Sequence, residues 1–83
     1  MRTELIRETD YVMEFTNEDE DFHIYAKWDG CCDISRYYNG YTYKDEGKDV
    51  DVDSIHICDL REFIRSLTEI ADKCEAKNGF EGY

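Results

Sequence analysis

The side chains able to bind a metal or act as a nucleophile are few and scattered. His23, Cys31, Cys32, His56, Cys58 and Cys74 are of the types that ligate zinc, and His56-x-Cys58 would place two of them on one side of an extended strand. The sequence has no C-x-x-C or H-x3-H pair, the spacings a structural zinc site uses. Asp49-Val50-Asp51-Val52-Asp53 supplies acids where a calcium loop has its first, third and fifth positions. Its sixth position is Ser54 instead of Gly, and its twelfth is Leu60 instead of Glu. No nucleophile elbow, phosphate-cradling glycine loop or nucleotide fingerprint occurs. The carboxylates are too numerous for one pair to stand out as acid and base. The expectation is a protein that is not an enzyme and needs neither metal nor cofactor.

The acids themselves are the strongest signal. Twenty-one Asp and Glu stand against ten Lys and Arg, a formal charge of −11. From Asn17 to Asp21 four of five residues are acidic, and from Asp45 to Asp53 five acids accompany one base. Between Leu60 and Lys77 four acids balance four bases, so the whole excess lies elsewhere. Concentrated self-repulsion costs a small domain stability, which favours a use for the field. In an extended chain Asp49, Asp51 and Asp53 would point the same way at intervals of about 6.7 Å, a row of charges like phosphates on a nucleic acid strand. The alternative is a solvated acidic loop or edge strand. Tyr37, Tyr38, Tyr41 and Tyr43 cluster around Asn39-Gly40. Strand aromatics usually pack in the core, but those left exposed beside acidic loops make good interface anchors.

The elements that must position these residues follow from periodicity. Leu60, Phe63, Ile64, Leu67, Ile70, Ala71 and Cys74 recur on one face of a helix, with Asp59 and Glu62 spaced as a capping box and Asn78-Gly79 as its stop. That face, Phe63 included, should be buried against a sheet. Tyr11 to Thr16 alternates Tyr11, Met13 and Phe15 against Val12, Glu14 and Thr16, as a half-buried strand does. Phe22 to Trp28 and Cys31 to Tyr38 form a hairpin about Asp29-Gly30. Ser54 to Cys58 reads as an edge strand entering the helix, and residues 1–10 fit either a helical turn or a strand start. Asn39-Gly40 opens either a tight turn into a strand at Tyr41 to Lys44 or a loop through Asp53. In the loop case the two acidic segments lie at the same end of a meander; in the strand case they lie at opposite ends. The fold expected is α+β: a small antiparallel meander of three to four strands covered by one C-terminal amphipathic helix, a single domain over residues 1–83.

Size and composition narrow the setting. A domain of 83 residues has a thin stability margin and no room for a large enclosed site. With 41% hydrophobic and 14% aromatic residues it is too apolar for a disordered acidic tail. No stretch reads as a membrane span or signal segment, and −11 would be repelled by anionic lipid. Adjacent Cys31 and Cys32 point to opposite faces of a strand, which argues for reduced thiols and a cytoplasmic protein.

In composition and layout over the whole chain, a very small, reduced, strongly acidic α+β domain with exposed tyrosines resembles the phage-encoded inhibitors of host defence. These include acidic anti-CRISPR proteins that occupy the DNA-reading surface of a Cas nuclease, and the opening Leu5-Ile6-Arg7-Glu8-Thr9-Asp10-Tyr11 is loosely similar to the N-terminal pattern of one such inhibitor. Immunity proteins against nuclease toxins look similar for the same electrostatic reason. The resemblance implies a non-enzymatic nucleic-acid mimic whose partner is the basic surface of a nucleic-acid-binding protein, such as a Cas effector, with no direct nucleic acid binding. The partner-binding residues expected are Glu18, Asp19, Glu20, Asp21, Tyr38, Tyr41, Asp45, Glu46, Asp49, Asp51 and Asp53. A small adaptor recognising its partner through the tyrosines is the alternative.

Overall fold

A computed structural model describes residues 2–45 and 47–78. Five antiparallel strands, β1 (Thr3–Glu8), β2 (Val12–Asn17), β3 (Phe22–Lys27), β4 (Cys31–Tyr37) and β5 (Val50–His56), lie side by side in chain order, and one helix, α1 (Ile57–Asn78), follows. The α+β meander with a C-terminal helix is as expected, with one strand more. Residues 3–8 form the extra edge strand, which slips register at Ile6 between Leu5 and Arg7. Such an extra residue twists an edge and disfavours further pairing.

The turns explain the strand ends. The β3–β4 connection has three residues, Trp28, Asp29 and Gly30, where two were expected. Gly30 N–H donates to the Lys27 carbonyl at 3.0 Å and Gly30 has φ of 103°. This is a turn closed by a left-handed glycine, the usual three-residue hairpin. A Cβ on Gly30 would sit 2.8 Å from Ile57 Cγ2 and 2.9 Å from His56 Nε2, so the position has no room for a side chain. The Gly30 carbonyl accepts the Ile57 N–H at 2.7 Å, and His56 Nδ1 accepts the Cys58 N–H at 3.2 Å. These contacts start the helix two residues before Asp59. They take the capping role assigned to Asp59, which instead lies in the first turn, where its charge suits the helix dipole. Gly79, the expected stop, lies outside the described residues.

The sheet has two faces of different character. Val12, Glu14 and Thr16 point to one, and all three are buried; Tyr11 is 81% exposed, and Met13 and Phe15 are half-buried on the other. The alternation is that of a half-buried strand, and the tertiary structure selects the side that is covered. The cause is the β4–β5 connection, which folds back over the Glu14 face and stacks Tyr43 on His23 of β3. On the opposite face Leu5, Phe15, Ile24 and Ile34 stand directly across from one another on four successive strands. Met13, Ala26, Cys32 and Ile55 form a second such row.

The helix does not cover that apolar face. It approaches the sheet chiefly at β5, and none of its residues is buried. Phe63 is 46% and Ile70 57% exposed. The amphipathic pattern is therefore present, but the predicted burial of Phe63 is not.

Candidate functional site: the acidic end of the sheet

Two connections share one end of the meander. The β2–β3 turn is tied by Asn17, whose carbonyl accepts the Glu20 N–H at 3.1 Å. The Asn17 side chain accepts the Phe22 N–H at 3.1 Å and donates to Asp21 at 2.7 Å. Glu20 takes a left-handed φ of 59°, leaving Glu18 and Asp19 exposed at the tip.

The β4–β5 connection runs from Tyr38 to Asp49 and contains no strand among its described residues, which resolves the fork as a loop. Asn39 and Gly40, at φ 57° and 81°, form the tight turn their types favour, and Tyr41 N–H donates to the Tyr38 carbonyl at 3.1 Å. The chain then turns across the sheet instead of pairing with β4. Tyr43 N–H donates to the Glu20 carbonyl at 3.1 Å, and Lys44 Nζ lies 2.9 Å from the Glu20 carboxylate. Its neck closes where Tyr38 N–H donates to the Asp49 carbonyl at 2.9 Å. The two acidic segments are thus bound together.

Several acids are committed to holding the loops. Glu20 pairs with Lys44, whose pKa rises through that contact. The Asp45 carboxylate accepts the Thr42 N–H at 2.9 Å and the Thr42 hydroxyl at 3.3 Å. Asp21 and Asp49 accept the side-chain amides of Asn17 and Asn39. Glu46 lies outside the described residues. The aspartate row is broken at its first member, since Asp49 has φ of 42° and only Asp51 and Asp53 lie in β5. Those two share a side of the strand, opposite Arg36 and Ile34. This straight course cannot wrap an ion as a calcium loop does. Among the described residues no three His, Cys, Asp or Glu side chains converge to hold a metal.

The tyrosines do not form one patch. Tyr38 is exposed and its hydroxyl donates to Asp51, which pushes its pKa up. Tyr37, Tyr41 and Tyr43 are half-buried, with the Lys48 ammonium 5.7 Å from the Tyr41 ring centre. Three bases punctuate the acids: Lys44, Lys48 and Arg36, the last stacked over Phe22 at 5.0 Å. Of the acids expected to bind a partner, Glu18, Asp19, Asp49, Asp51 and Asp53 are exposed, Asp49 and Asp51 while accepting from Asn39 and Tyr38.

Glu14 is the important residue that sequence reasoning missed. It is 9% exposed and accepts bonds from Arg7 at 3.1 Å and from His23 Nε2 at 3.0 Å. Its position in the alternating pattern of β2 was the only signal, because a buried carboxylate is legible only through its partners. All four thiols are free, Cys31 exposed and Cys32 buried as expected for neighbours on a strand. No described helix is long and apolar enough to cross a membrane. No family model, curated protein or solved structure matches the chain.

Proposed function

We propose that this chain is a non-enzymatic inhibitor that mimics nucleic acid and blocks the basic surface of a host defence nuclease, of the anti-CRISPR or anti-restriction type, in the cytoplasm. The observation that carries the reading is the joining of the two acidic connections at one end of the sheet by Tyr43, Lys44 and Glu20. Glu18 and Asp19 at the tip and Asp53 on β5 offer exposed carboxylates to Lys and Arg on the target, and Asp49 and Asp51, each accepting from one neighbour, stay exposed beside them. Such a field speeds encounter and excludes the true substrate by occupying its site. An immunity protein for a nuclease toxin would use the same surface.

The test is binding of the purified protein to a basic nuclease with labelled DNA as competitor, across a salt series. The reading expects mutual displacement and affinity that falls steeply with salt, since exposed charges are screened beyond about 8 Å at physiological ionic strength. A partner held equally at low and high salt and indifferent to nucleic acid would support the adaptor alternative.

A further inference from the structure

The two edges of the sheet are not alike. β1 slips register at Ile6, which twists its outer side and spoils it for a further strand. β5 keeps unbroken register with β4 from Val50 to His56, and its outer side has no strand beside it. The bonds that close its two ends fix which backbone groups face outward. Tyr38 N–H donates to the Asp49 carbonyl and Ile57 N–H to the Gly30 carbonyl, and both pairs continue the register that sets Arg36 opposite Asp51. Because the bonding residues of an antiparallel pair alternate, Asp51, Asp53 and Ile55 turn their N–H and carbonyl groups to β4, while Val50, Val52 and Ser54 turn theirs away from the sheet. Val52 is 55% exposed and Ser54 is exposed, so α1 does not close this edge. Among the described residues none bonds to the Val52 or Ser54 backbone from that side.

We propose that the β5 edge takes an extended segment of another protein as an added antiparallel strand, one in which Lys or Arg alternates with β-branched residues. The unpaired backbone groups require an extended occupant, and the side chains select its sequence. Asp51 and Asp53 share one face of β5 at an interval of about 6.7 Å, so two cations spaced two residues apart on the added strand stand opposite both carboxylates. Arg36, across the ladder from Asp51, stacks over Phe22 instead of pairing with it. Val52 projects from the other face between the two acids, where a β-branched residue of the added strand packs beside it. The same acids turn away a second copy of this chain. Two β5 edges paired about Val52 would set Asp51 of each opposite Asp53 of the other, like charge against like charge. The inference rests on the function proposed above for a partner that is basic, and deepens it by naming the kind of segment that partner offers.

The test uses the full chain and a capped peptide of seven residues, the length of β5, alternating Lys with Val. Amide exchange followed by NMR should slow several-fold at Val52 and Ser54 when the peptide is added, while the Asp51 and Asp53 amides, already bonded to β4, change little. Unchanged exchange at Val52 and Ser54 overturns the proposal. The same peptide with its valines N-methylated keeps every charge but loses the donors that face β5, so it should bind roughly ten-fold more weakly. Equal binding of the two peptides reduces the contact to charge alone and also overturns it. Val52→Pro, which an outer strand admits where the N–H faces solvent, should weaken binding in the same way, with circular dichroism to show that the fold is kept. A basic nuclease that competes with DNA while the peptide fails to bind leaves the mimic reading standing and removes the added strand.

Discussion

His23 and Tyr43 stack with ring centres 4.8 Å apart and planes 10° from parallel. One residue lies in the middle of the sheet and the other in the longest connection, so this contact fixes a loop that has no strand to hold it. It also completes a chain of contacts from Arg7 through Glu14 to His23 and the loop. The exposed acids are therefore anchored through a polar cluster on the sheet and not by local turn chemistry alone.

Tyr43→Ala should free the loop at its centre. We expect a loss of roughly 1 to 3 kcal/mol, since a stacked aromatic contributes beyond its buried area. Tyr43→Phe should keep most of the stability, because the ring and the backbone N–H to Glu20 remain. Thermal melts check the stability, and amide exchange at Tyr43 reports the loop.

Glu14→Ala leaves His23 without its carboxylate and removes the partner of Arg7, and should cost roughly 1 to 3 kcal/mol. Glu14→Gln retains an acceptor and should cost less. Denaturant melts of the two variants decide this, and equal effects would show that the contacts are spectators.

Gly30→Ala meets Ile57 and His56 at under 3.0 Å and forces a side chain into a left-handed turn. A destabilisation of at least about 1 kcal/mol is expected, with faster hydrogen exchange at the Ile57 amide, because the Gly30 carbonyl that starts the helix must shift.

Glu18→Gln with Asp19→Asn removes two exposed tip charges. Melting should change by less than about 0.5 kcal/mol, while association with a basic nuclease slows several-fold and loses part of its salt dependence. Stopped-flow binding reads this. Wild-type kinetics would remove the tip from the recognition surface and leave the β5 edge to carry it.

Thiol labelling should follow thiolate availability. Burial pushes the Cys32 thiol up, and the Asp29 carboxylate, which accepts from Cys31, pushes that thiol up as well. A raised pKa lowers the reactive thiolate fraction at any pH below it, so both should alkylate slowly at pH 8 and faster as pH rises. Cys32, buried as well, should be the last of the four to react. Mass spectrometry after timed alkylation measures the order.

Much of the scaffold is local in origin. The alternation in β2 and β3, the Asp29-Gly30 signal and the period of Leu60 to Cys74 are properties of neighbouring residues, so they mark strands, a hairpin and an amphipathic helix wherever the chain goes. The sequence left Asn39-Gly40 open between a tight turn into a strand and a loop, and the acidic segments share an end because Tyr43 crosses to Glu20 and His23 instead of pairing with β4. Periodicity states that a face is apolar without saying what meets it. Which side of β2 is inward was decided by Tyr43 crossing to His23, a contact between residues 20 apart in sequence. The burial of Glu14 needed Arg7 and His23 brought to it from neighbouring strands. The helix stripe was read correctly and its burial was not, because burial depends on where the helix meets the sheet, and α1 approaches it chiefly at β5. Composition could set the charge at −11, but only the tertiary fold separated acids spent on holding loops, such as Glu20 and Asp45, from those left facing solvent, because a carboxylate's availability depends on which donors the fold brings within reach.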